Sequence, residues 1–111
     1  MRITEGPGSP HTPREIREYE QEYKESAQLF QNAVQHYASS DNPYQKKEFQ
    51  EVMDKALQIL NETACELKRQ KLFDQNAKIE KDYATFNQSP DDENAIAQLN
   101  KDLEKAKKSI G

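Results

Sequence analysis

The chain has 111 residues, of which 33% are hydrophobic and 32% charged, and its formal net charge is −4. A mean hydropathy of −1.17 excludes a thick globular core and suits a slender helical bundle, whose seam needs only about two or three apolar positions in seven. The 16 basic and 20 acidic residues are mixed along the chain, which argues against nucleic acid as a partner, because a binder would concentrate its basic residues on one face.

Residues 1–11 read as a disordered tail. Gly6-Pro7-Gly8-Ser9 within it resembles a linker left by an expression vector and takes no part in the fold expected. Residues 12–111 then form a single helical-bundle domain. With a vector-like linker there, any native targeting signal is expected to have been cut away, so the lack of a signal-peptide core after Met1 means little. No apolar run approaches the length of a membrane-spanning helix, so membrane insertion is not expected. The single cysteine, Cys65, excludes an intrachain disulfide and fits a reducing compartment, with the cytoplasm as the expected location.

One signal recurs along the chain. Thr12-Pro13, Asn42-Pro43 and Ser89-Pro90 each place a capping side chain directly before a proline. Such a side chain accepts a bond from an unpaired first-turn amide, and proline at the next position has no N–H to leave unpaired. Glu15 and Gln45, three residues after their caps, complete capping-box patterns. Asp91, Asp92 and Glu93 set negative charge on the positive end of the last helix. The pattern predicts helices over about 13–39, 43–87 and 90–110.

The first helix carries Ile16, Tyr19, Tyr23, Ala27, Phe30, Val34 and Tyr37 on one heptad-like stripe. Ser39-Ser40-Asp41 ends it, and so short a connection makes the next helix its antiparallel neighbour. The central stretch from Asn42 to Asn87 contains no glycine or proline after Pro43. Its first half presents a wide apolar face, from Phe49 through Val52, Met53, Ala56, Leu60 and Ala64 to Leu67. That breadth predicts contact with two neighbouring helices. The pattern falters at Lys68-Arg69-Gln70-Lys71 and resumes as Asn76, Ala77, Glu80, Tyr83, Ala84 and Asn87. A continuous helix is the favoured reading, because no breaker is present; the alternative is a break near Gln70 that gives a fourth helix. The last helix carries Ile96, Leu99, Leu103, Ala106 and Ile110, with Ala95 widening the stripe. Lys101, Lys105 and Lys108 line up on one side, interrupted by Asp102 and Glu104, and read as a solvated face. The architecture expected is all-α: an antiparallel three-helix bundle, or elongated helical hairpins around the long central helix.

The inventory of reactive groups is thin. His11 and His36 form no metal-ligand pair with each other or with Cys65. Cys65, next to Ala64 on a helix, reads as a small buried or half-buried residue. Asp91-Asp92-Glu93 lacks the alternating oxygens and glycine turn of a calcium loop, and no glycine-rich phosphate loop is present. No enzyme activity, cofactor, metal or small-molecule substrate is therefore expected.

The aromatics are more informative. Adjacent Leu72 and Phe73 point about 100° apart on a helix, and Phe86 and Tyr44 stand beside turns. Each of these four either packs against a neighbouring helix end or offers an apolar spot to a partner. The function expected is a non-enzymatic protein–protein interaction or assembly module, working through a protein partner or self-association. The alternative is a small helical chaperone or accessory protein of a larger secretion or surface apparatus.

Overall fold

The structure, a computed structural model, describes residues 12–110; the tail read over 1–11, His11 included, lies outside them. Among the described residues four helices follow one another: α1 (Pro13–Ser39), α2 (Pro43–Leu67), α3 (Gln70–Gln88) and α4 (Glu93–Ile110).

The first two start signals act as expected. The Thr12 hydroxyl accepts from the Glu15 N–H at 3.2 Å, and the Glu15 carboxylate accepts from the Thr12 N–H at 3.1 Å, closing a capping box. Asn42 Oδ1 accepts from the amides of Tyr44 and Gln45 at 2.8 and 3.4 Å. Its reciprocal arm takes a detour. Gln45 Oε1 accepts from Ser40 Oγ at 3.0 Å, and Ser40 Oγ accepts from the Asn42 N–H at 3.2 Å. The same orphan donor is satisfied through one extra hydroxyl.

The third start shifts by three residues. Ser89 closes α3, donating its N–H to Thr85 and Phe86 at 3.1 and 3.2 Å, while Asp92 caps α4 by accepting from the Asn94 N–H at 2.9 Å. Between them the Asp92 N–H donates to the Ser89 carbonyl at 3.0 Å. Ser-Pro suits the first two positions of a tight turn as well as it suits a helix start, and here the turn prevails.

The break near Gln70 holds and gives a fourth helix, while the favoured continuity of the central stretch is overturned. Lys68 adopts φ 54°, ψ 41°, the left-handed region, and donates its N–H to the Ala64 carbonyl at 2.8 Å. Arg69 is extended (φ −107°, ψ 118°), and α3 starts without a side-chain cap. A non-glycine residue in this conformation costs about 1 kcal/mol. Tertiary packing offsets it. Leu72 becomes buried just past the joint, Leu67 packs on the core just before it, and Arg69 pairs with Glu20 of α1 at 2.6 Å. One continuous helix would span ~67 Å and carry the apolar residues of α3 away from those of α2.

Folded back at the joint, the chain forms an up-down-up-down bundle. α1 packs on α2 and α4, and α3 packs on α4 and α2. The diagonal pair, α1 and α3, meets through rings: Phe30 against Tyr83 at 5.2 Å and Tyr37 against Phe86 at 5.4 Å, both edge-on. The core takes Tyr23, Phe30 and Val34 from α1, Met53 and Leu60 from α2, Leu72, Ile79 and Phe86 from α3, and Leu99 and Leu103 from α4. The break also re-phases the α3 seam. It runs Leu72, Gln75, Asn76, Ile79, Tyr83, Phe86, whereas Ala77, Glu80, Ala84 and Asn87 face solvent.

One buried amide ties three helices together. Asn76 of α3 accepts from the Tyr23 hydroxyl at 2.7 Å and donates to the Leu60 carbonyl at 2.9 Å. Burial pushes the Tyr23 phenol well above its ordinary value, so the hydroxyl keeps the proton that makes this bond.

Two outcomes follow for chemical denaturation. Lys68→Gly should raise stability by up to about 1 kcal/mol, and Lys68→Val should lower it by about 1–2 kcal/mol, since only glycine is at ease there. Asn76→Ala should cost about 3 kcal/mol, because it leaves the Tyr23 hydroxyl buried and unpaired and opens a void. Tyr23→Phe should then cost less when combined with Asn76→Ala than in the parent protein.

Candidate functional site

The four residues singled out for partner contact separate cleanly. Leu72 and Phe86 are core residues, 1% and 0% exposed, so neither offers a surface to a partner. Phe86 is held by the Tyr37 and Tyr83 rings, and Leu72 is drawn inward where α3 folds back onto the bundle. Phe73 and Tyr44 remain at the surface, 37% and 81% exposed. Tyr44 sits in the first turn of α2 and Phe73 just beyond its far end, so the two do not form one patch. Leu29 on α1, exposed like Phe73, escaped the sequence reading. Its signal was present: it neighbours Phe30 and falls off the three-and-four stripe.

Cys65 is also exposed, against the expectation of a buried or half-buried residue. The inward arc of α2 passes through Thr63 and Ala64, and the next residue is carried about 100° out of it. Cys65 lines an open cleft of about 430 Å³ between α1 and α2, with Tyr19, Glu22, Glu62, Thr63 and Glu66. His36 is stacked on Phe49 at 5.3 Å, and the Lys46 ammonium lies 5.3 Å from the centre of the Tyr37 ring. These contacts close the α1–α2 end of the bundle.

The lysine face of α4 is partly as expected. Lys101, Lys105 and Lys108 are exposed, but Asp102 between them is buried at 4% exposure. Position 102 lies three residues from Leu99 and four from Ala106, in register with the seam rather than with the lysines. Asp102 is the centre of a polar contact between α3 and α4. Gln98, one turn earlier, donates to its carboxylate at 3.1 Å, and Gln75 of α3 donates to its backbone carbonyl at 2.8 Å. Asp82 of α3 stands near the same carboxylate, and one of its own oxygens is buried without a hydrogen-bond partner.

Carboxylates only accept hydrogen bonds, so two ionised ones side by side repel each other. The Asp82 carboxyl is pushed up to about 7. Burial is the main cause, followed by the neighbouring Asp102 carboxylate, with Lys81 opposing them. For Asp102, burial also acts to raise the value. The neighbouring Asp82 carboxyl, the bond from Gln98 and the charges of Lys105 and Lys78 outweigh it and hold the group below its ordinary range. The two carboxyls are thus pushed apart, Asp82 upward and Asp102 downward. Beside them an open cleft of about 310 Å³ is lined by Asp82, Thr85, Asp92, Asn94, Ala95 and Gln98.

With this geometry in hand, comparison with known proteins adds no relative: no protein-family model, no curated protein and no solved structure matches the chain. Among the described residues no group of three or more His, Cys, Asp or Glu side chains is placed to hold a metal ion, and no helix is long and apolar enough to cross a membrane.

The exposure of Cys65 is directly measurable. A thiol reagent such as dithionitrobenzoate should modify the folded protein to about one equivalent without denaturant, at a rate close to that of the unfolded chain. A thiol that reacts only after unfolding would contradict this placement.

Proposed function

We propose that the protein is a non-enzymatic interaction module that docks a protein partner or a second copy of itself through apolar side chains on an otherwise polar bundle. The observation that carries this reading is Phe73. It sits in the first turn of α3, exposed, while its neighbour Leu72 is buried. A large ring left at the surface beside a satisfied core is a typical contact residue, since burying what remains of it in a partner is favourable. Leu29 and Tyr44 extend the set of large side chains available at the surface. The surrounding charges suit a protein partner better than nucleic acid, because acidic residues such as Asp74 and Glu80 stand among the lysines of α3.

Phe73→Asp tests the reading against Leu60→Asp as a control. Leu60→Asp should cost several kcal/mol by burying an unpaired charge, whereas Phe73→Asp should cost less than about 1 kcal/mol. Light scattering coupled to size exclusion, run across protein concentrations, should show self-association that Phe73→Asp weakens. Where the parent is a monomer throughout, recovery of one dominant partner should be lost in the same variant. A strict monomer with no partner released by Phe73→Asp would overturn the reading, as would equal destabilisation by both substitutions.

A further inference from the structure

Three joints connect the four helices, and they are not alike. At the first, Asn42 caps α2 and Pro43 follows it; at the third, Pro90 stands in the turn and Asp92 caps α4. Proline at either place bars a straight helix through the joint, since it has no N–H to donate and its ring crowds the preceding turn. The second joint carries no such bar. Only Lys68 and Arg69 separate α2 from α3, and α3 starts without a side-chain cap. Lys68, Arg69, Gln70 and Lys71 are all good helix formers.

The reversal is held against local preference. Among the described residues Lys68 is the one non-glycine residue with positive φ, at 54°. The break also forgoes bonds that an unbroken helix would make, from the amides of Arg69, Gln70 and Lys71 to the carbonyls of Cys65, Glu66 and Leu67. What keeps the joint bent is contact between the α1–α2 hairpin and the α3–α4 hairpin. Phe30 meets Tyr83 edge-on at 5.2 Å, Asn76 bonds to the Tyr23 hydroxyl and the Leu60 carbonyl, and α1 packs on α4. None of these contacts requires both hairpins to come from one chain.

We infer that the chain pairs with a second copy by exchanging hairpins: the joint at Lys68 straightens, and the α3–α4 hairpin of each copy docks on the α1–α2 hairpin of the other. The directions of the helices allow this. In the closed bundle α2 and α3 lie side by side and antiparallel. Straightened, they become one long helix, and two such helices set antiparallel place α3 of each copy against α2 of the other. The two-fold axis then passes through the joint. Both exchanged faces are used, so the product is a closed dimer and not a filament.

A second copy is the partner that fits, because it carries hairpins matched to each other in every contact. The seams of the bundle are remade between chains, and only the joint changes, with the Arg69–Glu20 pair beside it. Relief of the left-handed residue at two joints per dimer works against the freedom lost on association. A short, strained connection between two otherwise intact units is the setting that favours such exchange. The inference goes beyond docking through Phe73, which would join closed bundles and leave each joint bent.

A cross-link between α2 and α3 tells the two arrangements apart. In the closed bundle the Gln50 amide donates to Asn87 Oδ1 at 3.1 Å. On a straight helix residues 50 and 87 of one chain stand about 55 Å apart. Gln50→Cys and Asn87→Cys, in a Cys65→Ser background, put one thiol on each side of that contact. The protein is refolded from denaturant at a series of concentrations, its species are separated by size exclusion with light scattering, and each is treated with a short bismaleimide. The monomer should be linked within its chain. The dimer should be linked between chains and persist as a covalent dimer on a denaturing gel, with or without Phe73→Asp. Lys68→Gly should raise the concentration at which half the protein is dimeric by more than about a hundredfold. Glycine is at ease at positive φ and poor in a helix interior, and each dimer contains two joints. A dimer linked only within chains and lost in Phe73→Asp would support docking of closed bundles and overturn exchange. The absence of any dimer, or a dimer indifferent to Lys68→Gly, would overturn it as well.

Discussion

The bundle depends on one residue placed where its type is least at home. Lys68 turns left-handed between α2 and α3, among described residues that include no glycine. Every neighbour relation of α3 follows from that reversal. Without it, Leu72, Ile79 and Phe86 would continue along the α2 axis and leave the diagonal contacts with Phe30 and Tyr37 unmade. The conformational cost is local and about 1 kcal/mol, while the return is the burial of an entire helix face, each large side chain contributing about 1.5–3 kcal/mol. The comparison of magnitudes explains why a weak local preference yields to the core.

A second theme is the use of polar groups inside the seams. Asn76 bridges α1, α2 and α3, and Gln75 bridges α3 to the Asp102 carbonyl of α4. Apolar contacts in such a bundle are tolerant of sliding, because one leucine fits the next hole nearly as well. A buried amide or carboxyl is not tolerant. Shifted by one turn, Asn76 would leave the Tyr23 hydroxyl without an acceptor, at a cost of about 1–3 kcal/mol. These groups therefore fix the axial position of the helices, much as a single polar residue fixes register in a coiled coil.

How much of this was legible in the sequence depends on the range of the interaction. The Thr12 and Asn42 caps and the α1 stripe could be read because they involve residues within one or two turns of each other. The class of fold and the α1–α2 hairpin followed from them. The joint was legible only as an alternative: the stripe falters at Lys68-Arg69, which carries no breaker, and the burial of Leu72 against other helices helps make the reversal favourable. The α3 seam was legible in part: Asn76 and Tyr83 lie on it, whereas Ala77, Glu80, Ala84 and Asn87 face solvent. Ser89-Pro90 suited both a turn and a cap, and its neighbours had to choose. Of the surface candidates, the separation of Leu72 from Phe73 was foreseen in kind, as two adjacent residues on different faces. Asp102 was hidden by the lysines around it, although its spacing from Leu99 and Ala106 placed it on the seam.

The up-down-up-down order has a consequence for how the chain reaches this state. Each helix packs on its neighbour in sequence, and α1 meets the distant segments α4 and, through rings and one hydrogen bond, α3. α1 and α2 can meet as soon as the turn at Ser40-Asp41 forms, and α3 and α4 as soon as the turn at Ser89-Pro90 forms. Little loop-closure entropy has to be overcome before contacts begin to form. Helical chains dominated by such near-neighbour contacts fold in roughly microseconds to milliseconds. The reversal at Lys68 is then a kinetic hinge, joining two hairpins that assemble early and dock late.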